Sequence, residues 1–435
     1  MSIRLFAGPV IASLALVATL AQAQAQAQAQ APSPSAPHAA VHTLAQKEQQ
    51  PLLDTLRDLV HIESGSKDLE GLDKIAALIA SQLKQRGGTV EILRPADIYR
   101  LDDTPEKVGP VVHATFQGQG TKKIMFIAHM DTVYLQGMLK DQPFRIDGDK
   151  AYGLGIGDDK QGVATIIHTV GMLQQLGFKD YGTLTVLING DEEISSPGAR
   201  NTITRIAAEQ DAVFSFEGGG ATGALRLATS GIGAAYLTVD GKASHAGASP
   251  EKGVNALYEL SHQLLQMKEL SKPAQGLKLN WTVASAGTNR NVVPAQAKAQ
   301  ADARALKVSD FDALDKELQA KVQNKLLPDS KVQVKFEVRR PPLEATPVSR
   351  RVAEHGKQIY QEIGLPLTVV SEATGGGTDA AFAGLKTRGA VVEGMGLTSF
   401  GAHSNDAEYV LISTIVPRLY LATRMVMDLS SGALK

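Results

Sequence analysis

The strongest constraint on what this chain can fold into is the way its apolar residues change spacing. Amphipathic helical stretches open it, "LLDTLRDLVHIES" from residue 52 and "GLDKIAALIASQLKQRG" from residue 71, the second closing on a glycine pair as helices often do. Strand-like segments "TVEIL", "VVHATF" and "KKIMFIAH" follow. Helix and strand then alternate through "DKQGVATIIHTVGMLQQLG", "GTLTVLING", "GARNTITRIAAEQ" and "DAVFSFE". That order predicts βαβ units around a mainly parallel sheet. From about residue 229 the order becomes β-α-β-β-α-β, ending on "KVQVKFEV", which predicts a ferredoxin-like α+β unit. After "RRPPLEATP" the earlier style resumes, with a final helix from about Leu411 to Leu429. The expected architecture is one α/β domain in two parts, 43–228 and 342–435, interrupted by an inserted lid or dimerisation domain over 229–341.

The start of the chain stands apart. One cation, Arg4, precedes an apolar run from Leu5 to Leu20, and small residues at Ala21 and Ala23 complete the pattern of a secretory signal over residues 1–23. Residues 24–42 are a Gln, Ala, Pro and Ser tract with too little apolar surface to fold, and read as a flexible leader. Loss of the signal takes the net charge from -1 to -2, which leaves no basic surface for nucleic acid or anionic lipid. A periplasmic or secreted protein acting on a small molecule is expected, without stable membrane association. The chain has no cysteine, so any zinc must be held by histidine and carboxylate.

Most of the ten histidines have bland explanations: His38 and His42 lie in the leader, His113 in a strand pattern, and His61, His168, His262 and His355 in helical ones. His129 differs, closing a strand and opening "HMDTV", so that His129 and Asp131 project from a strand end where open α/β sheets place ligands. Asp158 and Asp159 begin a helix in "GLGIGDDKQG", the acids of "NGDEE" and Glu217 of "SFEGGG" each end a strand, and His403 of "SFGAHSNDAEYV" lies in the returning half of the sheet. Any one of these is an ordinary turn. Together they supply a two-metal site. Asp158, Glu193, Glu217 and a bridging hydroxide carry the four negative charges that balance two Zn²⁺, with His129 and His403 as neutral ligands. Glu192 is then left unbound beside the water.

The motifs "HMDTV", "GIGDDKQG", "GDEE", "SFEGG", "GKASHAG", "GGGTDA" and "GAHSNDAEY", in this order, resemble those of the di-zinc aminoacylase and carboxypeptidase family of metallopeptidases, and within it the bacterial glutamate carboxypeptidases. The resemblance implies that Asp158 bridges two zincs, with His129 and Glu217 on one, Glu193 and His403 on the other, and Glu192 as general base. It implies a second role for Asp131, fixing the tautomer of His129, and a cis peptide after Asp158. His245 of "KASHAG" would steady the oxyanion, often across a homodimer formed by the inserted domain. Arg304, Arg340, Asn291 and the turn around Gly376 and Thr378 would bind the substrate carboxylate. One departure concerns the acyl side. Where the resembling proteins carry lysine and serine, this chain has Ala224 and Arg226, which share a strand face if the segment is extended.

What the resemblance implies is an exported zinc carboxypeptidase that cleaves the amide between an N-acyl group and a C-terminal glutamate, with folates and antifolates among its substrates. A broader N-acyl-amino-acid deacylase or dipeptidase is the alternative on the same scaffold. A periplasmic binding protein is a third reading, opposed by Glu192, since a binding site gains nothing from a general base beside metal-bound water.

Overall fold

The computed structural model describes residues 36, 38–373, 375–404 and 406–434, so the expected signal and most of the leader lie outside the described residues. The chain begins with α1 (Ala39–Val60), α2 (Leu69–Gln85), β1 (Thr89–Leu93), β2 (Val111–Gln117), β3 (Lys123–His129), β4 (Arg145–Asp147) and β5 (Lys150–Tyr152). It continues through α3 (Gln161–Gln175), β6 (Thr183–Asn189), α4 (Arg200–Ala207), β7 (Ala212–Ser215) and β8 (Leu225–Arg226). A middle block follows: β9 (Gly231–Asp240), α5 (Ala256–Met267), β10 (Lys278–Ala286), β11 (Gln296–Ala305), α6 (Val308–Lys321) and β12 (Lys331–Arg340). The last part holds α7 (Pro347–Glu362), β13 (Val369–Val370), α8 (Ala380–Gly384), β14 (Ala390–Val392), β15 (Ser399–Phe400), β16 (Tyr409–Leu411) and α9 (Ile415–Ser430).

The main sheet has the order β1-β2-β6-β3-β7-β14. Its β6, β3, β7 and β14 run parallel, while β1 and β2 add an antiparallel edge. Alternate residues of each strand point to opposite faces. Val112, Ala114, Ile124, Phe126, Leu184, Val186 and Phe214 pack into the core that holds α1, α2, α3, α7 and α9. Val111, Met125, Ile127, Leu187 and Val213 pack on the other side against α4 and α8. Both faces are therefore covered, which is why these strands read as near-continuous apolar runs.

The middle block has its own sheet, β10-β11-β9-β12, with every neighbour antiparallel. It is the strand order of a ferredoxin-like unit. One face buries Ala235, Leu237, Val239, Ala299, Ala301 and Ala303 against Leu260, Met267, Phe311, Leu314 and Leu318 of α5 and α6, a core of its own. The two chain crossings lie side by side: Thr229 and Leu343 exchange both backbone hydrogen bonds, at 3.1 and 3.2 Å.

Two features differ from expectation. Helix α1 starts at Ala39, inside the expected leader, with Val41 buried and the His42 ring edge-on to Tyr420 of α9 at 5.7 Å. Alanine-rich sequence that looks like low complexity is also good helix former, and α9 gives it a surface to cover. His403 belongs not to the main sheet but to a small antiparallel one, β15-β16-β5-β4, whose β16 takes Leu411 from the start of the expected last helix. Strands of two or three residues are too short to leave a periodic signal.

Candidate metal centre

Because β3, β6 and β7 are parallel, with His129 opposite Asn189 and Ile127 opposite Ser215, their C-terminal ends share one edge of the sheet. His129 ends β3 itself, Asp191, Glu192 and Glu193 follow β6, and Glu217 follows β7. Asp158 reaches the same edge from the turn before α3. His403 arrives from the β15–β16 turn, its backbone in the left-handed region at φ 64°.

Asp158 faces two ways. Its Oδ1 lies 2.9 Å from His129 Nε2 and its Oδ2 lies 3.3 Å from His403 Nε2. Glu217 Oε1 completes the first group, 3.5 Å from His129 Nε2, and Glu193 Oε2 completes the second, 3.3 Å from His403 Nε2. Donors held at about 2.0 Å around a tetrahedral cation lie about 3.3 Å from one another, so the two groups have the spacing of two cation sites sharing one carboxylate. The buried Glu193 Oε1 has no hydrogen-bond partner, which is costly unless a cation supplies it. The Asp158–Asp159 peptide is cis.

Electrostatics point the same way. Burial opposes a charge on His129, yet Glu217, Asp131 and Asp158 together hold its pKa well above the ordinary value. Asp158 and Glu193 raise His403 to about 10. Burial pushes Glu217 and Glu193 upward. Four groups at one spot that hold protons more tightly than usual are a donor set that cations would stabilise.

Asp131, fully buried, organises the set from behind. His129 Nδ1 lies 3.0 Å from its backbone carbonyl and 3.4 Å from its carboxylate, which leaves Nε2 to face Asp158 and Glu217. The same carboxylate accepts from Ser66 Oγ at 2.7 Å and from the backbone N–H groups of Glu192 and Glu193 at 3.0 and 3.1 Å. One side chain thus aims a ligand from β3 and the loop after β6.

Glu408 does the equivalent for Asp158. Its buried carboxylate accepts from the N–H groups of Gly155, Gly157 and Asp158 at 2.9, 2.7 and 3.0 Å and from Tyr134 Oη at 2.5 Å, while Tyr134 also donates to the Ser404 carbonyl beside His403. Glu408 lies in the motif "GAHSNDAEY", where the sequence alone assigns it no role. An acid a few residues after a candidate ligand histidine, opening a strand, was the available signal. Replacing Glu408 by Gln puts an N–H₂ where an acceptor is needed, and should weaken metal binding about 10- to 100-fold. Competition with a chromogenic chelator reads this, and an unchanged affinity would show the clasp to be dispensable.

Glu192 belongs to neither donor group. Its carboxylate is 7% exposed and paired with Arg340 Nη1, and Arg340 Nη2 donates to the Glu192 carbonyl at 2.8 Å. Burial outweighs that cation and pushes the Glu192 pKa up to about 8. Asp191 and Glu408 are each raised by burial to about 7. An acid with a raised folded-state pKa holds its proton more tightly in the native chain. Its contribution to stability therefore falls as pH climbs from the unfolded value near 4 through the folded one. Metal-stripped protein should melt at lower temperature at about pH 8 than at about pH 5, and added divalent metal should restore more at the higher pH. A melting temperature independent of pH over that window would contradict this.

The remaining expected residues are arranged differently. His245 is exposed, its Nδ1 accepting from the N–H groups of Gly247 and Ala248 at 3.1 and 3.0 Å, and Asn291 lies beside it through the Ala246 N–H, which donates to the Asn291 carbonyl at 2.9 Å. Neither is hydrogen-bonded or ion-paired to the donor groups among the described residues. Arg304 grips Asp302 with two nitrogens, at 2.9 and 3.0 Å, and reaches the Gly375 carbonyl at 3.2 Å. Arg340 is 3% exposed and committed to Glu192 and the Gly377 carbonyl. Gly376 accepts from the Ser230 N–H at 2.9 Å, and Thr378 donates to Glu393 at 3.0 Å. Ala224 is buried, and Arg226 donates to the Gly218 carbonyl at 3.0 Å, behind Glu217.

Comparison with known proteins agrees with this geometry. The model of peptidase family M20/M25/M40 matches residues 125–428. The chain is 44% identical over 389 residues to "Carboxypeptidase G2" of Pseudomonas sp. (strain RS-16), covering 89% of this chain and 91% of that protein. Among solved structures it is similar to aminopeptidase PepT of Bacillus cereus, with TM-score 0.70, 21% identity, and 87% and 98% of the two chains covered. It is also similar to the YXEP protein of Bacillus subtilis, described as a dinuclear metal binding peptidase from the M20 family, with TM-score 0.63, 17% identity, and 88% and 99% covered. Fold, paired donor groups and sequence relationship converge: this chain is a metallopeptidase and belongs to peptidase family M20/M25/M40.

Proposed function

We propose that the chain is an exported di-zinc glutamate carboxypeptidase, hydrolysing the amide that joins an N-acyl group, folates and antifolates included, to a C-terminal glutamate. The observation that carries the reading is Glu192: a buried acid beside two donor groups, held by its own backbone and by Arg340, and used by neither group. The relationship to carboxypeptidase G2 supports the substrate.

Two zincs on the donor groups would supply Lewis acidity, polarising the scissile carbonyl and acidifying a bound water. Glu192, a carboxylate that belongs to neither donor group, takes the proton of the attacking water and returns it to the leaving amine. Asp131 holds His129 and the Glu192 backbone still, so that base and ligands keep one geometry. Arg304, with Asn291 and the turn at Gly376 and Thr378, takes the substrate carboxylate in competition with Asp302, and Arg340 steadies Glu192 from the same side. His245, whose Nε2 is left free by the two bonds at Nδ1, donates to the oxyanion when the inserted unit approaches, within one subunit or from a second copy. Apolar side chains exposed on that unit, Leu265 at 73% and Tyr258 at 62% on α5 and Val283 at 56% on the edge strand β10, support a homodimer formed there. No helix among the described residues is long and apolar enough to cross a membrane.

Comparing pteroylglutamate, acyl-glutamate and acyl-leucine hydrolysis tests the reading. A marked preference for glutamate is expected, and acyl-leucine cleaved as fast would overturn it. The broader N-acyl-amino-acid deacylase is favoured by one observation: both candidate carboxylate-binding arginines already hold an acid of the chain itself, Asp302 and Glu192.

A further inference from the structure

The loop that carries Glu192 is bent in a costly way. Ser195 and Ser196 follow the acids with φ 73° and 50°, and two consecutive residues that carry a Cβ do not hold the left-handed region without outside support. Within the loop, the Ser195 N–H donates to the Glu192 carbonyl and the Ser196 N–H to the Asp191 carbonyl, both at 2.7 Å. From outside, Arg200 supports the same bend. It stands at the start of α4, is 6% exposed, and donates through Nη2 to the Ser195 carbonyl. The same nitrogen donates to the Arg339 carbonyl at 2.7 Å.

Arg339 is the residue before Arg340 at the end of β12. One guanidinium therefore joins the main chain of the Glu192 loop to the main chain beside the arginine that grips Glu192. That joint is itself braced. The guanidinium of Arg200 lies 4.3 Å from the Tyr99 ring, in the loop after β1, and 4.8 Å from the Phe382 ring of α8, which is 5.9 Å from the guanidinium of Arg340. The Tyr99 N–H donates to the Pro197 carbonyl at 2.8 Å, and Asp103, four residues on, accepts from Arg339 at 2.8 and 3.0 Å. Four segments meet on Arg200: the loops after β1 and β6, the end of β12, and α8.

We propose that Arg200 is a positioning residue for the proton transfer: its planar fork sets the distance between the loop after β6 and the end of β12, and so seats the Arg340 guanidinium on the Glu192 carboxylate. A flat cation can lie against two rings and still aim one nitrogen at two carbonyls, which a lysine ammonium cannot do. The inference rests on the general-base reading of Glu192. Arg200 is bonded to neither donor group among the described residues.

The test uses metal-loaded enzyme and an acyl-glutamate, at a temperature where circular dichroism shows each variant folded. Arg200→Met keeps the bulk and removes the fork; it should lower kcat about 100-fold, hold KM within about threefold, and leave metal per chain at the parent level. Arg200→Lys keeps the charge, decides the matter if the methionine variant does not fold, and should lower kcat about tenfold with the same split. In the Glu192→Gln background, Arg200→Met should cost less than about threefold more, because a residue that acts through Glu192 then has nothing left to position. A folded Arg200 variant with full metal and the parent kcat overturns the inference. So does a loss carried by KM or by metal content, or a further loss in the Glu192→Gln background as large as in the parent. Parent turnover in Glu192→Gln alone would remove the general-base reading and this inference with it, whereas parent turnover in the Arg200 variants beside an inactive Glu192→Gln removes this inference only.

Discussion

Glu192→Gln should remove turnover while leaving the cations bound. The substitution keeps the shape of the side chain and the backbone contacts to Asp131 and Arg340, since those are made by the Glu192 N–H and carbonyl. It takes away the charge that faces the Arg340 guanidinium and, with it, the ability to accept and return a proton, the latter worth on the order of 10²- to 10⁴-fold in kcat. The donor groups His129, Asp158 and Glu217, and Asp158, Glu193 and His403, are untouched. Steady-state kinetics alongside metal per chain by atomic emission separates the two effects. A variant that hydrolyses at the parent rate sinks the role of Glu192, and one that loses metal places it among the ligands instead.

Asp158→Asn should cost both cations together. Each carboxylate oxygen of Asp158 faces a different histidine, so one amide substitution weakens two sites at once and removes the charge that both share. The loss in affinity should exceed the roughly 10- to 100-fold that an outer hydrogen-bond partner is worth. Glu217→Gln is the control, expected to weaken one site and spare the other. Chelator titration that finds one cation bound to Asp158→Asn at the parent affinity would show that the aspartate is not shared.

The main sheet was legible because its central strands β3, β6 and β7 are buried on both faces and the helices α1, α2 and α3 are long, so each leaves a run or a period well above the noise of a single residue. The metal donors were legible for a related reason: His129, Glu193 and Glu217 each sit where a readable strand stops, and parallel strands bring such endings together. His403 was recognised without its setting, because β15 and β16 span two and three residues and leave no pattern. Glu408 escaped because its work is to accept backbone N–H groups from a segment some 250 positions away, a contact that only the fold creates. Arg340 was read as an open fork for substrate. Burial against Glu192 could not be seen in "RRPP", where nothing distinguishes a buried arginine from a surface one. The helix start at Ala39 was hidden for a different reason, since a polar, alanine-rich tract becomes a helix only when Tyr420 and the rest of α9 offer it a partner.

The paired crossing at Thr229 and Leu343 sets how motion reaches the chemistry. Two neighbouring extended segments, bonded to each other, are where the chain enters and leaves the middle block, and would be the pivot of any movement between the block and the rest. Arg340 closes β12 immediately ahead of that pivot, with its guanidinium on Glu192. The last residue of the middle block's sheet and the acid after β6 are thereby one buried ion pair, so neither can be displaced without the other losing its partner.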